Sequence, residues 1–265
     1  METFSISGGH NPDGKVGCGT VNKKLDMYES TEDRYITNKV IEYLKKDNRK
    51  AYNCTVNNGT SQGDVLDKLA DKHNDIGADW DISIHFNDVN HKDYVGDGAT
   101  IGTEVWYYSG SKHAAEIKEK GNLICSNISK IGFRNRGVKA HSGLRFLKET
   151  HGKSMIIEVC FCCDKDDVTL YKANRDNIAK AIADALQGKV YNPKKEVKDV
   201  DKIVLYHGDA DVFAAIVVAQ KHKCPMMKES DFKISGLKAK EVVQIGGKSE
   251  DANRFQTFKN AAKLL

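Results

Sequence analysis

Two histidines and two glutamates, far apart in the chain, are the residues with which this sequence could do chemistry. His10 closes the run "SISGGH", Glu29 sits in "MYESTEDRY", His85 ends "DISIH" and Glu158 interrupts the apolar run "SMIIEVCF". A hydrolytic zinc site takes three protein ligands, commonly two imidazoles and a carboxylate. It keeps one position open for water and adds an unligated glutamate as general base. These four residues are candidates for those roles, with Glu32 as a competing carboxylate beside Glu29. Each histidine also has a plainer use as a hydrogen-bonded structural residue at a strand end, and an acidic residue before a helix pairs with the helix dipole. Glu158 resists such a reading, because a carboxylate in an apolar strand is costly to bury unless it is paired, hydrogen-bonded or protonated. Spacing alone does not decide the set, since ligands this far apart form no compact motif.

The elements around these residues alternate. "DWDISIHFND", "GTEVWYYSG" and "KSMIIEVCFCC" read as strands, and the segment ending at His10 as a short one. "VIEYLKKDNRK" from Val40 to Lys50 reads as a helix, with Glu42 four residues before Lys46. A second helix starts near Ser111 as N-cap, and a third, "DNIAKAIADALQG", closes at Gly188. Strands alternating with helices imply an α/β domain with a largely parallel sheet, whose functional residues collect at the carboxyl ends of the strands. His10, His85 and Glu158 all fall late in strand candidates.

The charged segment 189–200, with one of only three prolines, reads as a linker. Beyond it, 201–265 carries a second set of elements: the strand "KIVLY", the helix "DVFAAIVVAQKH", the strand "EVVQIGG" and the helix "NRFQTFKNAAKLL". At about 65 residues such a domain is marginal alone, and self-association would help it.

Composition narrows the class further. No apolar run approaches the length of roughly 18–20 residues that spans a bilayer, so no membrane insertion is expected. A net charge of +4 without a concentrated Lys/Arg stripe argues against nucleic acid as a partner and suits a weakly anionic surface. The seven cysteines are not spaced as a disulfide framework and read as reduced, buried thiols. In "CFCC" alternate residues point to opposite faces of a strand, so the three thiols do not converge on one metal. The start, "METFSISGGH", lacks the basic and apolar regions of a secretory signal, so the expectation is accumulation in the cytoplasm until something else releases the protein.

"GGHNPDG", "YES", "DISIHFN", "GTEVWYYS" and "SMIIEVCFCCDKDDV" occur in the order and contexts of a known family. As a set they resemble the zinc-dependent N-acetylmuramoyl-L-alanine amidases of the amidase-3 family, and clostridial phage endolysins in particular. The resemblance covers 1–188 as a catalytic domain. It implies an α/β fold with a six-stranded, mostly parallel sheet flanked by helices, Zn2+ held by His10, Glu29 and His85, and Glu158 as catalytic acid/base. Asn87 and Glu104 fall near the site by the same resemblance, as groups that orient ligands or substrate. The substrate it implies is bacterial peptidoglycan, cut at the amide between N-acetylmuramic acid and L-alanine. The segment 201–265 resembles one unit of the clostridial cell wall binding repeat 2 family, which implies attachment to anionic wall polymers; a single copy suggests a homo-oligomer formed through this second, smaller α/β domain. A zinc-dependent stem-peptide peptidase and a non-catalytic wall-binding protein are the rival readings.

Overall fold

The apolar runs "TFSISG", "WDISIHFN" and "KSMIIEVCF" become three adjacent parallel strands in the middle of a six-stranded sheet. The computed structural model describes residues 2–90, 92–193, 200–235, 237–248, 251 and 253–265, and the chain divides into two compact units, Met1–Pro193 and Lys194–Leu265. In chain order the first unit runs β1 (Thr3–Gly8), the short hairpin β2 (Val21–Asn22) and β3 (Met27–Tyr28), α1 (Glu29–Lys46), β4 (Lys50–Asn53) and α2 (Gln62–Ile76). It continues through β5 (Trp80–Asn87), β6 (Thr103–Tyr108), α3 (Ala114–Ser129), β7 (Asn135–His141), α4 (Arg145–Glu149), β8 (Lys153–Phe161) and α5 (Lys165–Leu186). The strand order is β4-β1-β5-β8-β6-β7, parallel except where β6 runs antiparallel to β8.

Side chains alternate across a strand, and here the alternation sorts chemistry. Phe4 and Ile6 of β1, Ile82, Ile84 and Phe86 of β5, and Met155, Ile157 and Val159 of β8 are buried in the main core with apolar residues of α1, α3 and α5. Complete burial of a large side chain of this kind stabilises by about 1.5–3 kcal/mol, so this face holds the sheet together. The alternate residues, Ser5 and Ser7, Asp81, Ser83 and His85, and Glu158, lie on the opposite face, which α2 and α4 cover in part with a smaller cluster of Val65, Leu69, Phe146, Leu147 and Ile156. Between α2 and that face His73 joins Ser7 (3.0 Å) and Asp81 (3.1 Å), and the Ser5 hydroxyl donates to Asp81 at 2.5 Å. These groups resemble a nucleophilic triad in geometry, yet all are buried, so no substrate reaches them; they satisfy one another and anchor α2.

Several boundaries differ from those read in the sequence. The first helix starts at Glu29, not Val40, because Ile36, Val40, Ile41 and Leu44 continue one buried stripe back into a polar first half. It stops at Lys46, before Asn48 turns left-handed at φ 57°. The α3 helix opens after His113, whose amide is accepted by the Ser111 hydroxyl, so the cap lies two residues later than Ser111. Both β4 and β7 are additional strands, and α2, capped by Ser61, is an additional helix.

Asp164 caps α5 by accepting the Asp167 amide at 2.8 Å. Asp167 itself is buried and accepts the amides of Gly102 and Phe161, and burial lifts its carboxyl from the ordinary 3.8 to about 7. Between those two values the folded chain keeps a proton that the unfolded chain releases. Stability is therefore expected to fall as pH rises from about 4 to 7, by on the order of 1.4 kcal/mol per unit, and to level off above 7. Urea unfolding across that range should show the slope reduced in Asp167→Asn; an unchanged slope would remove Asp167 as its source.

The second unit contains β9 (Val200–Tyr206), a 3₁₀ turn at Asp209–Asp211, α6 (Val212–His222), β10 (Met226–Lys228), α7 (Glu229–Ser235), β11 (Ala239–Ile245) and α8 (Arg254–Ala262). Its three strands are parallel in the order β10-β9-β11, over a small core of Val204, Ala214, Ala215, Val218, Ala219, Ile245 and Ala261. Within the segment 189–200 read as a linker, residues 194–199 lie outside the described residues. Tyr191 is buried, and its amide donates to Asn127 Oδ1 at 2.9 Å. Among the described residues no helix is long and apolar enough to cross a membrane.

Candidate metal centre

His10 follows the end of β1, His85 lies near the end of β5 and Glu29 is the first residue of α1, so the parallel sheet delivers two imidazoles to the point where α1 begins. His10 Nε2 lies 2.9 Å from Glu29 Oε1, His85 Nδ1 lies 3.4 Å from the same oxygen, and the two nitrogens are 3.0 Å apart. A tetrahedral ion with bonds of about 2.0–2.1 Å holds its ligand atoms about 3.3 Å apart, so this triangle accepts zinc with shifts of a few tenths of an ångström. Two imidazoles and one carboxylate are also the donor set that leaves a fourth position for water.

Each of these three side chains is placed by its surroundings. Ser83 Oγ lies 2.9 Å from His85 Nε2, which leaves Nδ1 as the inward lone pair. The His85 ring lies against Gly9, where a Cβ would approach Nε2 to 1.9 Å, so only glycine fits there. Glu29 accepts the Thr20 amide at 2.7 Å and the Phe86 amide at 3.0 Å. His10 Nδ1 is buried without a hydrogen-bond partner, and the residue is fixed instead through its backbone, whose carbonyl accepts from the Arg34 guanidinium at 2.7 Å. That guanidinium also reaches the carbonyls of Ser30 and Val56, tying α1, His10 and the segment after β4 together.

Electrostatics suit a cation. Burial opposes ionisation of Glu29, but its bonds to His10 and His85 outweigh that and hold its carboxyl well below the usual carboxylate range. Burial likewise holds His85 below the ordinary histidine range, keeping the imidazole neutral and its lone pair free. The competing carboxylate, Glu32, turns away: it accepts the Tyr171 hydroxyl at 2.6 Å and pairs with Arg175 at 2.8 Å.

Glu158 of β8 is the register partner of His85 on one side and of Glu104 on the other. Its Oε2 is buried with no hydrogen-bond partner. Burial first, then the charges of Glu29 and Glu104, push its carboxyl well above the usual range, so it holds a proton more readily than an ordinary carboxyl. Glu104 stays ionised: burial opposes this, but Arg136 at 2.6 Å and Lys139 at 2.5 Å lower its carboxyl. It also accepts from Asn87 (2.9 Å) and Trp106 (3.1 Å), so Asn87 and Glu104 meet beside Glu158.

Arg136 and Lys139 were not legible as site residues. They lie three apart on β7, and strand alternation alone sends them to opposite faces. A register shift opposite Thr103–Val105, with Gly137 at φ 74°, brings both onto Glu104. A second acidic group, Asp93, Asp97 and Asp166, has carboxylate oxygens that accept loop amides. The "CFCC" segment holds no converging thiol site: the strand ends at Phe161, and burial raises the Cys160 and Cys162 thiols well above the ordinary range.

Over residues 5–188 the chain matches the family described as N-acetylmuramoyl-L-alanine amidase. Among curated proteins it is similar to an uncharacterized protein of Clostridium perfringens strain 13, with 33% identity over 193 residues that cover 70% of this chain and 52% of that one. An uncharacterized 38.4 kDa protein of Clostridium perfringens is 32% identical over 201 residues, covering 73% and 54%. The chain thus spans about half the length of the curated relatives it matches. Among solved structures it is similar to the catalytic domain of the CD27L endolysin targeting Clostridia difficile, with TM-score 0.61 and 22% identity over 72% of this chain and 100% of that one. It also resembles an N-acetylmuramoyl-L-alanine amidase from Clostridium difficile 630, with TM-score 0.55 and 25% identity over 71% and 96%.

Proposed function

Since the chain belongs to the N-acetylmuramoyl-L-alanine amidase family, we propose that it is a zinc-dependent peptidoglycan amidase of the endolysin type, cutting the amide between N-acetylmuramic acid and L-alanine. The observation that carries this reading is the triangle of His10, Glu29 and His85 with the unpartnered carboxyl of Glu158 across one strand register. His10 Nε2, Glu29 Oε1 and His85 Nδ1 would hold Zn2+, which supplies Lewis acidity toward the scissile carbonyl and makes water more acidic. Glu158 takes the proton from the attacking water and delivers it to the departing nitrogen. The C–N bond breaks, leaving a carboxylate on the lactyl group and a free amine on L-alanine. Glu104, fixed by Arg136 and Lys139, keeps a negative charge beside Glu158 and so favours its protonated form.

The second unit is proposed to attach the enzyme to anionic wall polymers and to self-associate. Val217 on α6 and Phe258 on α8 are exposed, and with Leu265 they form an apolar face suited to a second copy.

Mass spectrometry of fragments released from purified peptidoglycan tests the amidase reading. Free stem peptides beginning at L-alanine are expected, lost with a chelator and restored by zinc. New amino termini inside the stem would instead mark a peptidase, and binding without release would mark a wall-binding protein.

A further inference from the structure

Beside the metal centre lies a cleft of about 410 Å³ whose walls include the β2–β3 hairpin and the segment after β5. Two of its lining residues are bonded to residues of the site: the Thr20 amide donates to Glu29, and the amide of Asp88, which follows β5, donates to Asn87. Asn22 of the floor donates to the Cys162 carbonyl just beyond β8. The cleft is lined by three ammonium groups, Lys23, Lys24 and Lys92, against one carboxylate, Asp88. Lys92 pairs with that carboxylate. Lys24 lies over the Tyr94 ring at 4.4 Å, an arrangement that holds the cation in place without neutralising it. Among the described residues neither Lys23 nor Lys24 has a carboxylate partner, whereas Arg136 and Lys139, the cations beyond Glu158, are both engaged by Glu104.

Such a cleft, large enough for a short peptide segment, selects an anion. On the amidase reading, on which this inference rests, the two halves of the substrate differ in charge next to the scissile bond. The lactyl carboxyl of the glycan half is consumed in the amide itself. In the peptide half the residue after L-alanine is a γ-linked glutamate, whose α-carboxyl is free. We propose that Lys23 and Lys24 receive this α-carboxylate, so that the stem peptide lies over the hairpin cleft and the glycan extends to the other side of the centre. The lysine pair is then a specificity determinant: it favours walls in which that carboxyl is free over walls in which it is a carboxamide.

Two disaccharide-tetrapeptides that differ only in that group, carboxylate or carboxamide, form the test, with the zinc-loaded whole chain and its Lys23→Met/Lys24→Met variant. The unaltered chain is expected to favour the carboxylate about tenfold in kcat/KM, with the preference shrinking as salt rises. In the double variant the ratio should fall to about one, chiefly through a higher KM for the carboxylate substrate. Equal use of both substrates by the unaltered chain, or a preference that survives in the variant, would overturn the lysine assignment while leaving the amidase reading standing. Failure to release peptide from either substrate would remove both.

Discussion

In Glu158→Gln, kcat is expected to fall by about 10²–10⁴-fold while zinc content stays near one per chain. Glutamine keeps the shape of the side chain but can neither take a proton from water nor return one to the departing nitrogen. Its position argues that little else changes: Glu158 Oε2 has no hydrogen-bond partner, so no structural bond is lost with the charge. Removing a buried carboxyl whose ionisation burial opposes also spares the fold that penalty, so thermal stability should hold or rise slightly. Steady-state release of stem peptides, paired with metal analysis of the same preparation, reads both quantities. Turnover within a few-fold of the unaltered chain would exclude Glu158 as the acid/base.

His85→Ala is expected to abolish zinc binding as well as activity. The donor triangle loses one vertex, and the remaining His10–Glu29 pair leaves an ion only two protein ligands. In the unaltered chain, zinc at a hundredfold excess over its dissociation constant should stabilise by about 2.7 kcal/mol, roughly 5–10 °C in melting temperature. In the variant that rise should vanish, and metal per chain after desalting should drop below about a tenth. A variant that keeps both the metal and the thermal shift would show that His85 is not a ligand.

The two groups of residues differed in how plainly the sequence announced them. His85 sits in a short alternating apolar stretch and Glu158 in a continuous apolar run; these located the two strands, and the alternation of strands with helices located their parallel pairing and the carboxyl-end position of both residues. Glu29 needed the family resemblance, because an acidic residue at a helix start looks the same whether it caps or coordinates; only the distances to His10 and His85 separate it from Glu32. Arg136, Lys139 and the hairpin lysines gave no signal. "NRGVKAH" has no apolar alternation, its register is broken at Gly137, and β2 and β3 are two residues each. Helix α2 was legible in principle through Val65 and Leu69 four residues apart, but its many charged residues hid the stripe. The second unit's β10, only three residues long, is too short for periodicity to mark it.

The sorting of β5 into Ile82, Ile84 and Phe86 on one face and Asp81, Ser83 and His85 on the other has a consequence for how the chain avoids misassembly. Sliding this strand by a single residue would send three large apolar groups toward the serine-rich face and drive an aspartate, a serine and a histidine into hydrocarbon. A one-residue slip would therefore forfeit stability and site together. The strand that carries His85 thus proofreads its own placement, and a folded first unit is already a unit with its imidazole on the correct side.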